Sequence, residues 1–202
     1  MSTNKHLPDP IIDTLKIKDW LGNMSDKRGK IARMIHAGEI FQLRRGLYTT
    51  QRDIHPYCLA ASIHGPSYIS FDTALSFHGL IPEAVHEITS ATLKRAKEYS
   101  NVFGNYRYLT VPQKIYPIGI ERVTEGGIPF LIASPTKAVC DRIALEPRMR
   151  SMSDVRRWAD LTRLDNTHPL DFTVLAACAE LYGRPAVRWL WRTVEKHGGI
   201  PL

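Results

Sequence analysis

Between residues 26 and 46 the chain sets Lys27, Arg28, Lys30, Arg33 and His36 on a stretch of helical periodicity, with Arg44 and Arg45 shortly after it. Cations at that density suit phosphates, because each neutralised phosphate releases condensed counterions and makes affinity steep in salt. Arginine adds a planar fork that meets guanine O6 and N7 bidentately, a contact worth about 1–3 kcal/mol of base discrimination. Lys27, Lys30, Arg44 and Arg45 are therefore candidate phosphate contacts. Arg28 and Arg33 are candidate base readers, and His36 shares their side. Taken alone, the same helix also reads as the solvated basic face of any small helical domain.

The flanking elements choose between these readings. Ile31, Met34 and Ile35 sit at the i, i+3, i+4 offsets that pack on a core. Gly29, Arg33 and His36 point the other way, with Arg28 and Lys30 on the flanks and Ala32 beside them. Small residues at 29 and 32 would let the helix backbone approach a groove floor, although glycine costs roughly 1 kcal/mol of helix stability against alanine. Ser25 reads as the N-cap and Gly38 as the stop. Residues 39–44 then alternate Ile40 and Gln42 against Phe41 and Leu43, and Arg44-Arg45-Gly46 makes a turn. Upstream, Asp9 as N-cap and Pro10 at the first position start a helix carrying Ile11, Ile12 and Leu15 inward, and Trp20-Leu21 before Gly22 closes a second. This order predicts a winged helix–turn–helix over residues 1–53, its basic helix in the major groove and its hairpin on phosphates.

Composition sets the outer limits. The 202 residues carry 27 Lys+Arg against 20 Asp+Glu, a net charge of +7, which favours an anionic partner without choosing its kind. Residues 1–10 are polar, with neither the apolar core nor the cleavage site of a signal peptide, and no apolar run is long enough to span a bilayer. Cys58, Cys140 and Cys178 are scattered in apolar settings, as expected of reduced core thiols in a cytoplasm. No HExxH, P-loop, GxGxxG or GxSxG occurs, so no cofactor, no metal and no enzymatic activity are expected.

Residues 54–202 read as a mixed α/β body with a helical C-terminal part, giving an α+β fold class for the whole. Helices are expected over 55–64 and 71–78, with Ser70 as N-cap of the second. Strands are expected at 87–92 and 106–111, and a hairpin at 122–124 and 128–132 around Glu125-Gly126-Gly127. Ser134-Pro135 starts a further helix, and 154–164, 172–182 and 185–197 complete the set. Trp189 and Trp191 cannot share one helix face, so one of them is either exposed to a partner or half-buried at a core edge.

Tyr68-Ile69-Ser70, Thr73-Ala74-Leu75 and His78-Gly79-Leu80-Ile81-Pro82-Glu83 together carry a resemblance. So do Arg44-Arg45-Gly46-Leu47-Tyr48, Ile88-Thr89-Ser90 with Thr92, and Ile132-Ala133-Ser134-Pro135-Thr136-Lys137-Ala138 with Asp141. As a set, over about 20–141, they resemble the AbiEi-type antitoxins of type IV toxin–antitoxin systems. The resemblance implies an N-terminal winged helix that represses its own operon at promoter inverted repeats on double-stranded DNA. It also implies a C-terminal region that counteracts a nucleotidyltransferase-like toxin without a stable complex. Lys137 and Asp141, at i, i+4, read either as a nuclease-like catalytic couple or as a structural ion pair that anchors the helix to the 68–83 region.

Overall fold

The computed structural model describes residues 9–164 and 170–200, in which eight helices and two sheets form a mixed α+β architecture. The first unit, the head, contains β1 (Ile11–Asp13), α1 (Thr14–Trp20), α2 (Lys27–His36), β2 (Phe41–Arg44) and β3 (Leu47–Thr49). Its sheet runs β1-β3-β2, antiparallel throughout. Ile12, Ile17, Ile31, Met34, Ile40 and Tyr48 make the small core beneath it.

Two local expectations are corrected here. No helix starts at Asp9-Pro10; Ile11–Asp13 instead pair with Leu47–Thr49, and Asp13 caps α1 by accepting the Lys16 N–H at 2.9 Å. Strand pairing satisfies backbone groups of residues 11–13 while burying Ile12, which outweighs the local Asp-Pro signal. The cap of α2 is Asp26, not Ser25: its carboxylate accepts the Gly29 N–H at 2.8 Å. A Cβ on Gly29 would collide with that carboxylate, so the cap accounts for glycine here.

The body opens with α3 (Pro56–His64), capped by the His55 ring. Then come β4 (Ser67–Ile69), α4 (Phe71–Phe77), β5 (Glu87–Thr92), β6 (Lys97–Asn101), β7 (Gly104–Thr110), β8 (Ile120–Glu125) and β9 (Ile128–Ala133). The six strands order as β6-β7-β5-β4-β9-β8, with β5/β7 and β4/β9 parallel and the other pairs antiparallel. Tyr106 and Tyr108 of β7 reach α3, donating to the Pro56 and Ala60 carbonyls at 3.2 and 2.7 Å. Four helices follow: α5 (Pro135–Ile143), α6 (Met152–Leu161), α7 (Phe172–Leu181) and α8 (Pro185–His197). Trp189 and Trp191 are both half-buried, the first under the Arg192 guanidinium at 4.9 Å, the second edge-on to Phe172.

At the centre of the body, Lys137 and Asp141 on α5 are each 0% exposed. Lys137 Nζ pairs with Asp141 Oδ1, while Oδ2 accepts from Tyr68 Oη at 3.0 Å and Ser70 Oγ at 2.6 Å. The ammonium also faces the Tyr68 and Tyr182 rings, each centroid 5.4 Å away. Ser70, expected to cap α4, makes no side-chain cap bond and gives its hydroxyl to Asp141 instead. The structural reading of the Lys137–Asp141 spacing is the one the geometry follows, with α5 fastened to β4 and to the residue that opens α4.

Two outcomes follow from this burial. Lys137→Met strands a buried carboxylate and should cost about 3–5 kcal/mol in urea unfolding. Adding Asp141→Asn to it should restore part of that loss; a double variant as unstable as the sum of the singles would contradict the pairing. Burial pushes the phenols of Tyr68, Tyr106, Tyr108 and Tyr182 upward, with Asp141 adding to the rise at Tyr68 and Tyr182. Their contribution to stability is fully present below the unfolded tyrosine value near 10 and is lost as pH rises beyond it. Tyrosinate absorbance should therefore show a late, cooperative step that coincides with unfolding, whereas a single smooth titration would contradict it.

Candidate nucleic-acid interface

The side of α2 that packs inward holds Ile31 and Met34, both buried, with Ile35 half-buried. Arg28, Ala32, Arg33 and His36 are exposed, and Lys27, Gly29 and Lys30 are half-buried on the flanks. Arg33 Nη1 lies 3.8 Å from Asp26 Oδ2, an open pair with both side chains well exposed, so it is weak and free to exchange.

Beside this face lies a cleft of about 470 Å³ walled by three elements: α1 through Thr14 and Lys18, α2 through Arg28 and Ala32, and the β2–β3 turn through Arg45 and Gly46. Ile31, Ile35 and Tyr48 line it as well. Lys18, Arg28 and Arg45 have no ion-pair partner among the described residues, so three positive charges face one cleft uncompensated. The turn is held where it is by the Thr14 N–H donating to the Gly46 carbonyl at 3.0 Å. Gly46, at φ +83°, supplies the left-handed backbone that this tight reversal requires. Chemically, the arrangement is a preformed seat for an oxyanion next to an exposed helix face.

Of the residues singled out from sequence, Arg28 and Arg45 meet in the cleft. Arg33 and His36 stand on the open face of α2, and Lys27 and Lys30 flank it. Arg44 does not join them: its Nε donates to the Ile63 carbonyl at 2.8 Å, and its Nη1 to the Arg45 carbonyl at 3.3 Å. It latches the hairpin to the C-terminal end of α3, where unpaired helix carbonyls favour a cation. Thr14 and Lys18 escaped the sequence reading. They sit at i, i+4 on one face of α1, a signal visible only once the helix is started at residue 14.

Two histidines of the body are engaged structurally. His78 and His64 each place Nε2 against a backbone carbonyl, of Ala133 at 2.8 Å and Arg95 at 3.2 Å. The three cysteines are buried and unbridged. Among the described residues no three His, Cys, Asp or Glu side chains gather as a metal site, and no helix is long and apolar enough to cross a membrane. No protein-family model matches the chain, and no curated protein matches it either.

Arg44 and Arg45 should thus behave as opposites although they are neighbours. Arg44→Ala removes a charged donor from the Ile63 carbonyl and should lower stability by about 1 kcal/mol, or about 2–4 °C in Tm. Arg45→Ala should leave Tm unchanged. Equal melting temperatures for the two variants would show that the latch carries no weight.

Proposed function

We propose that the chain is a DNA-binding transcriptional repressor, and that its head is a winged helix whose α2 enters the major groove. The observation that carries this reading is the convergence of Lys18, Arg28 and Arg45, uncompensated and from three separate elements, on a cleft beside the open face of α2. The strand order β1-β3-β2 around two helices also supports it, since a short hairpin is brought next to the second helix. In this arrangement Lys18, Arg28 and Arg45 hold backbone phosphates and set affinity, while Arg33 and His36 face the base edges. Arg28, one of two candidate base readers by sequence, is assigned to phosphate because it lines the cleft.

The partner is double-stranded DNA carrying promoter repeats. In keeping with the family resemblance, we assign the chain the role of antitoxin in a type IV toxin–antitoxin module, working in the cytoplasm against a nucleotidyltransferase-like toxin. A nuclease centred on Lys137 and Asp141 is disfavoured by their complete burial: neither side chain can touch a phosphodiester in this fold.

Fluorescence anisotropy on DNA taken from upstream of the gene provides the test. Log affinity should fall with log salt at a slope of about −3 to −4.5 per head, for the three phosphates held by Lys18, Arg28 and Arg45 and up to two more at the flanking Lys27 and Lys30. Arg33→Ala should reduce discrimination between operator and random duplex by about tenfold, and Arg45→Ala should weaken both alike. Absence of binding at low salt would refute the repressor reading. Failure to relieve the toxicity of a neighbouring nucleotidyltransferase on co-expression would refute the antitoxin role alone.

A further inference from the structure

A second group of cations lies far from the head. Arg184, Arg188, Arg192 and Lys196 recur every fourth residue from the N-cap of α8 to its last turn, and all four are exposed. Side chains four apart are neighbours on a helix, so these form one stripe, about 18 Å long at 1.5 Å per residue. None of the four has an ion-pair partner among the described residues. Glu195, the one carboxylate in α8, stands beside the stripe near its C-terminal end and leaves Arg184 and Arg188 uncompensated. Like charges at this spacing repel, and arginines at a helix N-terminus oppose the dipole, so helix stability does not account for the pattern. The first turn of α8 contains no acid that would offset them.

Two neighbours extend the surface. Arg150, from the loop before α6, shares a hollow of about 370 Å³ with Arg184. The half-buried indole of Trp189 lies beneath the Arg192 guanidinium, at 4.9 Å. The location is separate from the head. The head packs on β6 and α3, whereas α8 packs on α5, α6 and α7.

We propose that the α8 stripe is a binding surface for a single-stranded polynucleotide. A line of charge one residue wide follows one phosphate backbone and not two. Three of the four cations are arginines, whose forks take two oxygens of one phosphate. The Arg192 guanidinium, backed by the Trp189 indole, offers a cationic plane on which unpaired bases stack, irrespective of sequence. An acidic peptide would satisfy the charges but brings no base to stack on that plane.

The test uses the full chain at low salt with fluorescein-labelled oligo-U and oligo-dT of about 20 nucleotides, beside a random duplex. Arg188→Glu combined with Arg192→Glu should reduce affinity for both single strands by at least about tenfold and change duplex binding by less than about twofold. Arg28→Ala with Arg45→Ala should do the reverse. Oligonucleotide should quench tryptophan emission in the unaltered protein, and Trp189→Phe should abolish the quench, a readout independent of the charge variants. A preference between oligo-U and oligo-dT identifies which polymer the surface serves. The proposal fails if the unaltered protein binds neither strand, or if the head variant loses them equally. It fails too if poly-glutamate of matching charge displaces them as well as unlabelled oligonucleotide does, which would assign the stripe to an acidic protein.

Discussion

The β2–β3 hairpin is apolar on both faces, and the rest of the molecule is arranged around that constraint. Ile40 and Tyr48 complete the head core, while Leu43 and Leu47 belong to the core of the body. Successive strand residues point to opposite sides, so a slip of one residue would exchange the two sets and spoil both cores. The irregularity between Gln42 and Arg44 fixes the register at the turn. Arg44 on the Ile63 carbonyl and Asn101 Nδ2 on the Leu43 carbonyl, at 3.0 Å, then fasten the outer edge. A head held this way does not swing on a linker. Its basic cleft lies within the head, walled by α1, α2 and the β2–β3 turn.

In the body some cations are paired: Arg107 lies near Glu87 and Glu98, Lys137 binds Asp141, Arg142 binds Asp72 and Glu146, and Arg163 reaches Glu83. Among the cations without such a partner, three line the cleft of the head and four stand along α8. Local fields from such clusters decay over about 8 Å at physiological salt, so a group on the head and a group on α8 are felt separately at the surface. Net charge alone, read from composition, conceals this division.

Legibility in the sequence followed the range of the interactions. α2, α5, α7 and α8 announced themselves through apolar periodicity and a glycine or proline boundary, with Ser134 as a capping residue for α5. The hairpin at Gly126-Gly127 was equally local. What escaped notice depends on distant partners. β1 is three residues long and exists because β3 lies beside it. β6 is an edge strand rich in charge, which conceals its alternation. Arg44 and Arg45 are indistinguishable in sequence, and only the position of the α3 carboxyl end tells the latch from the free cation. Ser25 and Asp26 are both good capping residues, and the choice between them rests on which side chain reaches the Gly29 N–H.

The buried Lys137–Asp141 pair poses a last question, since burying two charges is a poor way to gain stability. Desolvation costs several kcal/mol per ion, and a well-packed apolar pair of the same size is often as stable or more so. What an apolar pair lacks is direction. Asp141 receives hydrogen bonds from Tyr68 and Ser70 and the Lys137 ammonium, and that ammonium is bracketed by the rings of Tyr68 and Tyr182. Only one rotation and one register of α5 satisfy all of these at once, whereas leucines would tolerate sliding. Because α7 and α8 pack on α5, its register also sets where the arginines of α8 stand relative to the sheet. The ion pair is thus better understood as a specifier of position than as a source of stability, and the surface that depends on it is the one carrying the second cluster of charge.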